Sequence, residues 1–267
     1  YYVRMRTYLH LISYWAAKKT KSKFIIAAAC DLDVSSLLKK IKYEYKPKLK
    51  LLRFFTVDLP NDLVFSYLLK KADYIILQHS GQRLNLNSKN GKIFIFPNIF
   101  DFSNKMPMEN STNNYFIHPG TLSILKGSQN LYHLINSLDK NISIVIVGQP
   151  TDKKSEKIYE RLKKIENVFL KGRLNHKETI QLIANAKALI NTSNFEGFPN
   201  TFLEAWANGV PVISLNVNPG NVFNKYNLGI CCEGDSNKMK KSIQLFKTEN
   251  IDKEKLISYV LEFHDFT

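Results

Sequence analysis

Two glutamates stand in NFEGFPNTFLEAWANGVPV, residues 194–212: Glu196 lies before a Gly-Phe-Pro-Asn turn, and Glu204 inside the short helical run that follows. Pro199-Asn200 opens that helix, with Asn200 as a favourable N-cap and proline acceptable in a first turn. TFLEAWAN is its body, and Gly209 with Pro211 stops it. The N–H groups near Phe198 to Phe202, which include those of Asn200 and Thr201, lack helical partners and carry the positive end of the helix dipole. They form an expected anion site. A carboxylate beside a phosphate site cannot bind phosphate, but it can accept hydrogen bonds from sugar hydroxyls, as the acidic residue of dinucleotide folds does from ribose. Two carboxylates bracketing a diphosphate would read a sugar on each side of it, the layout of a nucleotide sugar. The alternative is that Glu196 decorates a loop and Glu204 a solvated helix face.

A second stretch offers the other half of such a site. In HPGTLSILKGSQNL, residues 118–131, a strand ends at His118-Pro119, a glycine turn follows, and Lys126-Gly127 opens a helix. Gly120 permits close backbone approach, and Lys126 supplies a point charge to a phosphate. The alternative is an ordinary strand–helix loop with a surface lysine.

These loops need a sheet to hold them. Short, nearly continuous apolar runs occur at 23–29, 51–56, 73–78, 92–96, 115–119, 142–148, 167–172, 187–193 and 211–215. They read as strands covered on both faces, as in parallel sheets. Segments of helical period lie between them at 62–72, 128–138, 154–165 and 176–186, so the pattern is strand–helix alternation with right-handed crossovers. The expected fold is α/β with two Rossmann-like domains. PNIFDFSNKMPMENSTNN, residues 97–114, is the expected linker. It separates a domain at 1–104 from one at 105–267 with five strand–helix steps. The first domain has four expected strands, and residues 1–19 read as a helix.

The 267 residues are 44% hydrophobic, enough for a sizeable core, and no apolar run approaches the ~20 residues of a membrane span. Three cysteines, two of them adjacent, point to reduced thiols and a cytoplasmic compartment. The chain opens on Tyr1, so the natural start and any targeting segment are expected upstream. The net charge of +15 fits phosphorylated substrates, an anionic membrane surface or nucleic acid, and equally a lysine-rich solvated surface. The first helix, followed by KKTKSK, fits an interfacial membrane helix, although packing on its own sheet is the commoner arrangement. His79 sits in a surface-type loop. His118 reads as a packed or solvated strand-end residue, and His10, His133, His176 and His264 show no metal spacing.

EGFPNTFLEA resembles the E-x7-E signature of retaining glycosyltransferase family 4. GTLSILKG is similar to that family's G-R-L-x-x-x-K-G loop, and GVPVIS to its next strand. ADYIILQHSGQ to IFPNIFD, within 72–101, is similar to the end of its first domain and its linker. The resemblance spans roughly residues 72–232. It implies the GT-B architecture and transfer of a hexose from a nucleotide-diphosphate sugar to a hydroxyl on a glycan or lipid-linked acceptor. The setting it implies is surface polysaccharide or lipopolysaccharide synthesis in the cytoplasm or on the inner face of the membrane. Glu196 would then contact the donor sugar, Glu204 the ribose and Lys126 the diphosphate. Gly197, Phe198 and Pro199 would offer backbone groups to the sugar and distal phosphate, and Arg173-Leu174 would lie near the base. Neither a cofactor nor a metal is expected, and nucleic acid is not the expected partner. Asp31 and Asp33 are candidates for a cleft, or for capping a helix over VSSLLKKI. Two departures stand out. Thr121 replaces the family's arginine, so one charge on the diphosphate is lost, and the units that open the family's first domain are absent. The first domain is therefore expected to be incomplete, the chain being a fragment or a reduced form. The alternatives are a non-catalytic nucleotide-sugar or polyanion binder and a related epimerase or phosphorylase.

Overall fold

The structure is a computed structural model that describes residues 1–4, 7, 9–35, 54–84, 86, 92–106 and 114–265. They group into two compact units, residues 1–97 with 196–198, and residues 98–195 with 199–267.

The first unit holds a parallel sheet of β1 (Tyr2–Arg4), β2 (Ile25–Ala27), β3 (Tyr74–Leu77) and β4 (Lys92–Ile95), paired in that order. Its core joins Phe24, just before β2, and Ile26, Ile75 and Leu77 of the sheet to Phe65 and Leu68 of the helix Leu59–Lys71. Two expectations fail here. Residues 51–53 lie outside the described residues, and Phe54–Asp58 is a π-helical turn leading into the Leu59–Lys71 helix rather than a strand. Residues 1–19 are not one helix: β1 precedes the helix His10–Lys19, which buries His10 and Ala17 and exposes Ile12 and Trp15. Backbone pairing with β2 overrides the helical spacing of Tyr1, Tyr2 and Leu9. The helix proposed over VSSLLKKI falls mostly outside the described residues.

The second unit is a six-stranded parallel sheet of β5 (Tyr115–Pro119), β6 (Ser143–Val147), β7 (Val168–Gly172), β8 (Ala188–Asn191), β9 (Val212–Ser214) and β10 (Gly229–Cys231). The order β10-β9-β8-β5-β6-β7 runs outward in both directions from the neighbours β5 and β8. That is the doubly wound arrangement, and the β5–β8 boundary is its switch point, outside which such sheets bind ligands. Helices Ser128–Ser137, Lys153–Leu162, His176–Ala184 and Asn200–Ala207 match the helical segments read from sequence. Six strands stand where five steps were expected, because β10 is a three-residue edge strand with no apolar run to mark it. Ile117, Ile144, Ile146, Leu189 and Ile190 are almost fully buried, each removal from water worth about 1.5–3 kcal/mol. Among the described residues no helix is long and apolar enough to cross a membrane.

Candidate functional site

The loop after β5 carries Gly120, Thr121 and Lys126, and the loop after β8 carries the residues that lead to the Asn200–Ala207 helix. The switch point therefore juxtaposes the two stretches singled out in the sequence. They are also bonded to each other. Asn130 Nδ2 donates to Thr192 O and to Asn194 Oδ1, both at 3.1 Å. Thr192 Oγ1 donates to Gly127 O at 3.1 Å, and Ser193 Oγ to Lys126 O at 3.4 Å.

Gly127 is what lets the loops meet. It caps the Ser128–Ser137 helix with φ 73° and ψ 30°, and a Cβ there would lie 1.9 Å from Thr192 O. The helix thus begins at Ser128, one residue later than the expected Lys126-Gly127 start, and its cap is a backbone conformation rather than a side chain. Gly120, by contrast, would place a Cβ within 4 Å of no atom of the described residues beyond its own chain neighbours. Packing does not require that glycine, so its open face remains available to a ligand. Lys126 is half-buried, its N–H donating to Ser123 Oγ at 3.1 Å, while Thr121 is exposed.

Behind this loop, His118 of β5 is buried, with Nε2 3.3 Å from Thr192 Oγ1. The Thr192 hydroxyl has one proton and gives it to Gly127 O, so His118 Nε2 is the donor to the threonine oxygen. Nδ1 is then an acceptor, buried and without a hydrogen-bond partner among the described residues. Desolvation pushes the imidazole down to about 4, and the positive charge of Lys126 acts in the same direction.

The Asn200–Ala207 helix is short because Gly209, at φ 70°, bonds back to Trp206 O and ends it. Its N-cap position is Pro199, with no side-chain cap; Asn200 is the first helical residue, and its Oδ1 accepts from Asn98 Nδ2 at 2.8 Å. The expected Asn200 cap is therefore displaced by one residue, because the fixed φ of proline already sets the entry. Phe202, Leu203, Ala205, Trp206 and Ala207 are all buried, and Glu204 among them is only 9% exposed. The alternative of a solvated helix face for Glu204 is overturned. A carboxylate so placed needs a partner, and His176 Nε2 provides one at 3.0 Å from Oε1. His176 opens the His176–Ala184 helix, with Asn175 between it and the pair Arg173, which is exposed, and Leu174, which is half-buried.

Residues 196–198 belong to the first unit. There Glu196 is half-buried, with its backbone O accepting from Asp31 N at 3.3 Å, and Phe198 N donates to Gln78 Oε1 at 3.2 Å. Gly197 and Phe198 are buried, as is Pro199 of the second unit; Thr201 is half-buried. Asp33 is buried and its Oδ2 accepts from Ala29 N and Cys30 N at 2.8 and 3.0 Å. It closes the turn after β2 behind itself. Asp31 Oδ1 accepts from His79 Nε2 at 2.9 Å and Gln82 Nε2 at 3.1 Å. The surface placement expected for His79 is thus corrected: it is buried, since Asp31 supplies the partner that makes burial affordable. Among the described residues no three His, Cys, Asp or Glu side chains converge as a metal site.

Two parallel α/β units, the second doubly wound with the loops after β5 and β8 at its switch point, define the GT-B class of fold. The same fold is seen in sucrose-phosphate synthase from Thermosynechococcus elongatus, which is 17% identical, superposes with a TM-score of 0.77, and covers 99% of this chain and 70% of its own. It is seen again in Anabaena HepE in complex with UDP, at 16% identity and a TM-score of 0.61 over 96% of this chain and 78% of that one. The family model described as Glycosyl transferases group 1 matches residues 100–262, and the chain belongs to that family. An uncharacterised glycosyltransferase of Methanocaldococcus jannaschii is 27% identical over 180 residues, 59% of this chain. The chain spans 43% of that relative's length.

Proposed function

We propose that this chain carries the donor site of a retaining glycosyltransferase. It would transfer a hexose from a nucleotide-diphosphate sugar to a hydroxyl of a glycan or lipid-linked acceptor. The observation that carries the reading is the switch point, which brings the Lys126 loop against the loop after β8. In this reading Lys126 and the N-terminal end of the Asn200–Ala207 helix hold the diphosphate, aided by Gly120, Thr121 and Thr201. Glu204 accepts from the ribose hydroxyls, Arg173 and Leu174 border the base, and Glu196 with the Gly197–Pro199 backbone faces the sugar. As the bond from the sugar C1 to the diphosphate breaks, negative charge grows on the diphosphate; the acceptor oxygen bonds to C1 and gives its proton to the departing diphosphate oxygen. Fixed positive groups there stabilise the transition state more than the ground state. No step calls for a metal. Anabaena HepE, of the same fold, is seen in complex with UDP, which makes uracil the first base to test.

Calorimetry with UDP, GDP and ADP checks the reading. At least one should bind with Kd between roughly micromolar and millimolar; no heat from any of the three, on folded protein, sinks it. Steep salt-dependent binding to duplex DNA with no nucleotide binding favours the polyanion-binding alternative. The two glutamates are then separable. Glu204→Ala should weaken free nucleotide and nucleotide sugar alike by about 10–100-fold, the loss of charged hydrogen bonds worth about 1.5–3 kcal/mol. Glu196→Ala should leave the free nucleotide within about twofold and lower turnover and sugar discrimination. Equal nucleotide affinity in Glu204→Ala and the parent rules out the ribose role.

A further inference from the structure

We propose that His176 is a positioning residue that orients the Glu204 carboxylate and thereby sets a preference for ribonucleotides over 2′-deoxyribonucleotides; this rests on the donor-site reading above. A carboxylate oxygen only accepts, so the 3.0 Å contact requires a proton on His176 Nε2. Among the described residues this is the one side-chain hydrogen bond made by the Glu204 carboxylate. Oε1 is committed and Oε2 is left to accept from outside. A glutamate has a soft terminal torsion; on its own helix Phe202 and Leu203 carry no side-chain donor, and the Trp206 indole N–H is given to Leu228 O at 2.8 Å. His176 fixes that torsion from the adjacent helix.

His176 can act this way because it is itself pinned. It follows Asn175, whose Oδ1 accepts from Glu178 N at 2.8 Å while Asn175 N donates to Glu178 Oε2 at 3.0 Å. Thr179 Oγ1 adds a bond to Asn175 O at 2.8 Å. This capping box sets where the helix starts and so where its first side chain stands. The exposure is asymmetric: the His176 side chain is 60% exposed and the Glu204 side chain 11%. The histidine thus reaches in from the solvent side to a carboxylate set deeper in the fold. A vicinal diol presents two O–H donors. With Oε1 already oriented, Oε2 and the second lone pair of Oε1 can take both, and loss of the 2′-hydroxyl forfeits one.

The test is titration of the full chain with UDP and with 2′-deoxy-UDP, and with the corresponding ADP and GDP pairs. The proteins are the parent, His176→Ala and His176→Gln. The parent should prefer the ribonucleotide by about tenfold, the worth of one such bond. His176→Ala should lose most of that preference, weakening the ribonucleotide about fivefold to tenfold while the 2′-deoxy analogue changes less than twofold. His176→Gln, whose amide can still donate to Glu204, should restore the preference. A merely structural role would weaken both ligands equally, and that result overturns the proposal, as does a His176→Ala protein with the parent's full preference. If the parent binds nucleotides without preferring ribose, the ribose role of Glu204 falls and this role with it. If the parent binds no nucleoside diphosphate at all, the donor-site reading itself falls. Should His176→Ala fail to fold, the glutamine variant still decides, since loss of preference there contradicts a donor role.

Discussion

Gly127→Ala should strongly destabilise the second unit and disturb the loops that meet there. The residue holds φ 73°, a left-handed conformation that costs a residue with a Cβ about 1–2 kcal/mol. The new methyl group would also lie 1.9 Å from Thr192 O and 2.6 Å from its carbonyl carbon, atoms of the backbone rather than the far end of a flexible side chain. Relief requires the loops after β5 and β8 to separate, at an overpacking cost of about 1–3 kcal/mol more. Moving the loops also strains the Thr192–Gly127 and Ser193–Lys126 bonds. The melting temperature should fall on the order of 10 °C, and nucleotide affinity should fall with it even under conditions where the variant is folded. Gly120→Ala is the control: beyond its own chain neighbours it meets no atom of the described residues within 4 Å, so only the strained φ of 119° opposes it. If thermal melts show the two variants equally stable, the loop contact at Gly127 does not hold the site together.

The parallel strands were legible because a strand buried on both faces is apolar along its length, and runs such as SIVIV and ALIN have no other comfortable place. Three-residue edge strands carry no such signal, and both β1 and β10 escaped for that reason. Phe54–Asp58 shows the reverse failure, an aromatic run that reads as a strand but forms the entry turn of a helix. The two candidate loops were visible as glycine, lysine and glutamate patterns, yet nothing in the sequence orders β5 beside β8, and that adjacency is what brings the loops together. The partners of Glu204 and Asp31 were invisible for a related reason. His176 is 28 residues from Glu204 and His79 is 48 from Asp31, and spacing rules for metals or helix faces do not register such pairs. The burial of Glu204 was legible in principle. Five of the eight residues of its two-turn helix, Phe202, Leu203, Ala205, Trp206 and Ala207, are apolar, so most of the helix surface has to be buried.

Acidification should weaken the fold through His118 more than through His264, the other imidazole that burial holds down. In the folded chain this imidazole is fully enclosed and held down to about 4, by desolvation first and by the Lys126 charge as well. In the unfolded chain it takes its proton near the ordinary value of about 6.5. Between those values the unfolded state binds more protons, so stability rises with pH across the window. The contribution is complete above about 6.5 and is lost progressively as the pH falls toward 4. A difference of that size corresponds to about 3 kcal/mol at full protonation of the unfolded chain. His264 is lowered by burial too and acts with the same sign, and the carboxylates titrate over part of the same range. The parent alone therefore cannot isolate His118. Comparison with His118→Asn can, because groups common to both proteins cancel in the difference. Urea unfolding of the two proteins from pH 7.5 to 4.5 should show the parent losing stability more steeply, with the gap opening below about pH 6.5. Parallel curves would mean that His118 is protonated as easily folded as unfolded, and the buried, neutral link from β5 through Thr192 to Gly127 would have to be abandoned.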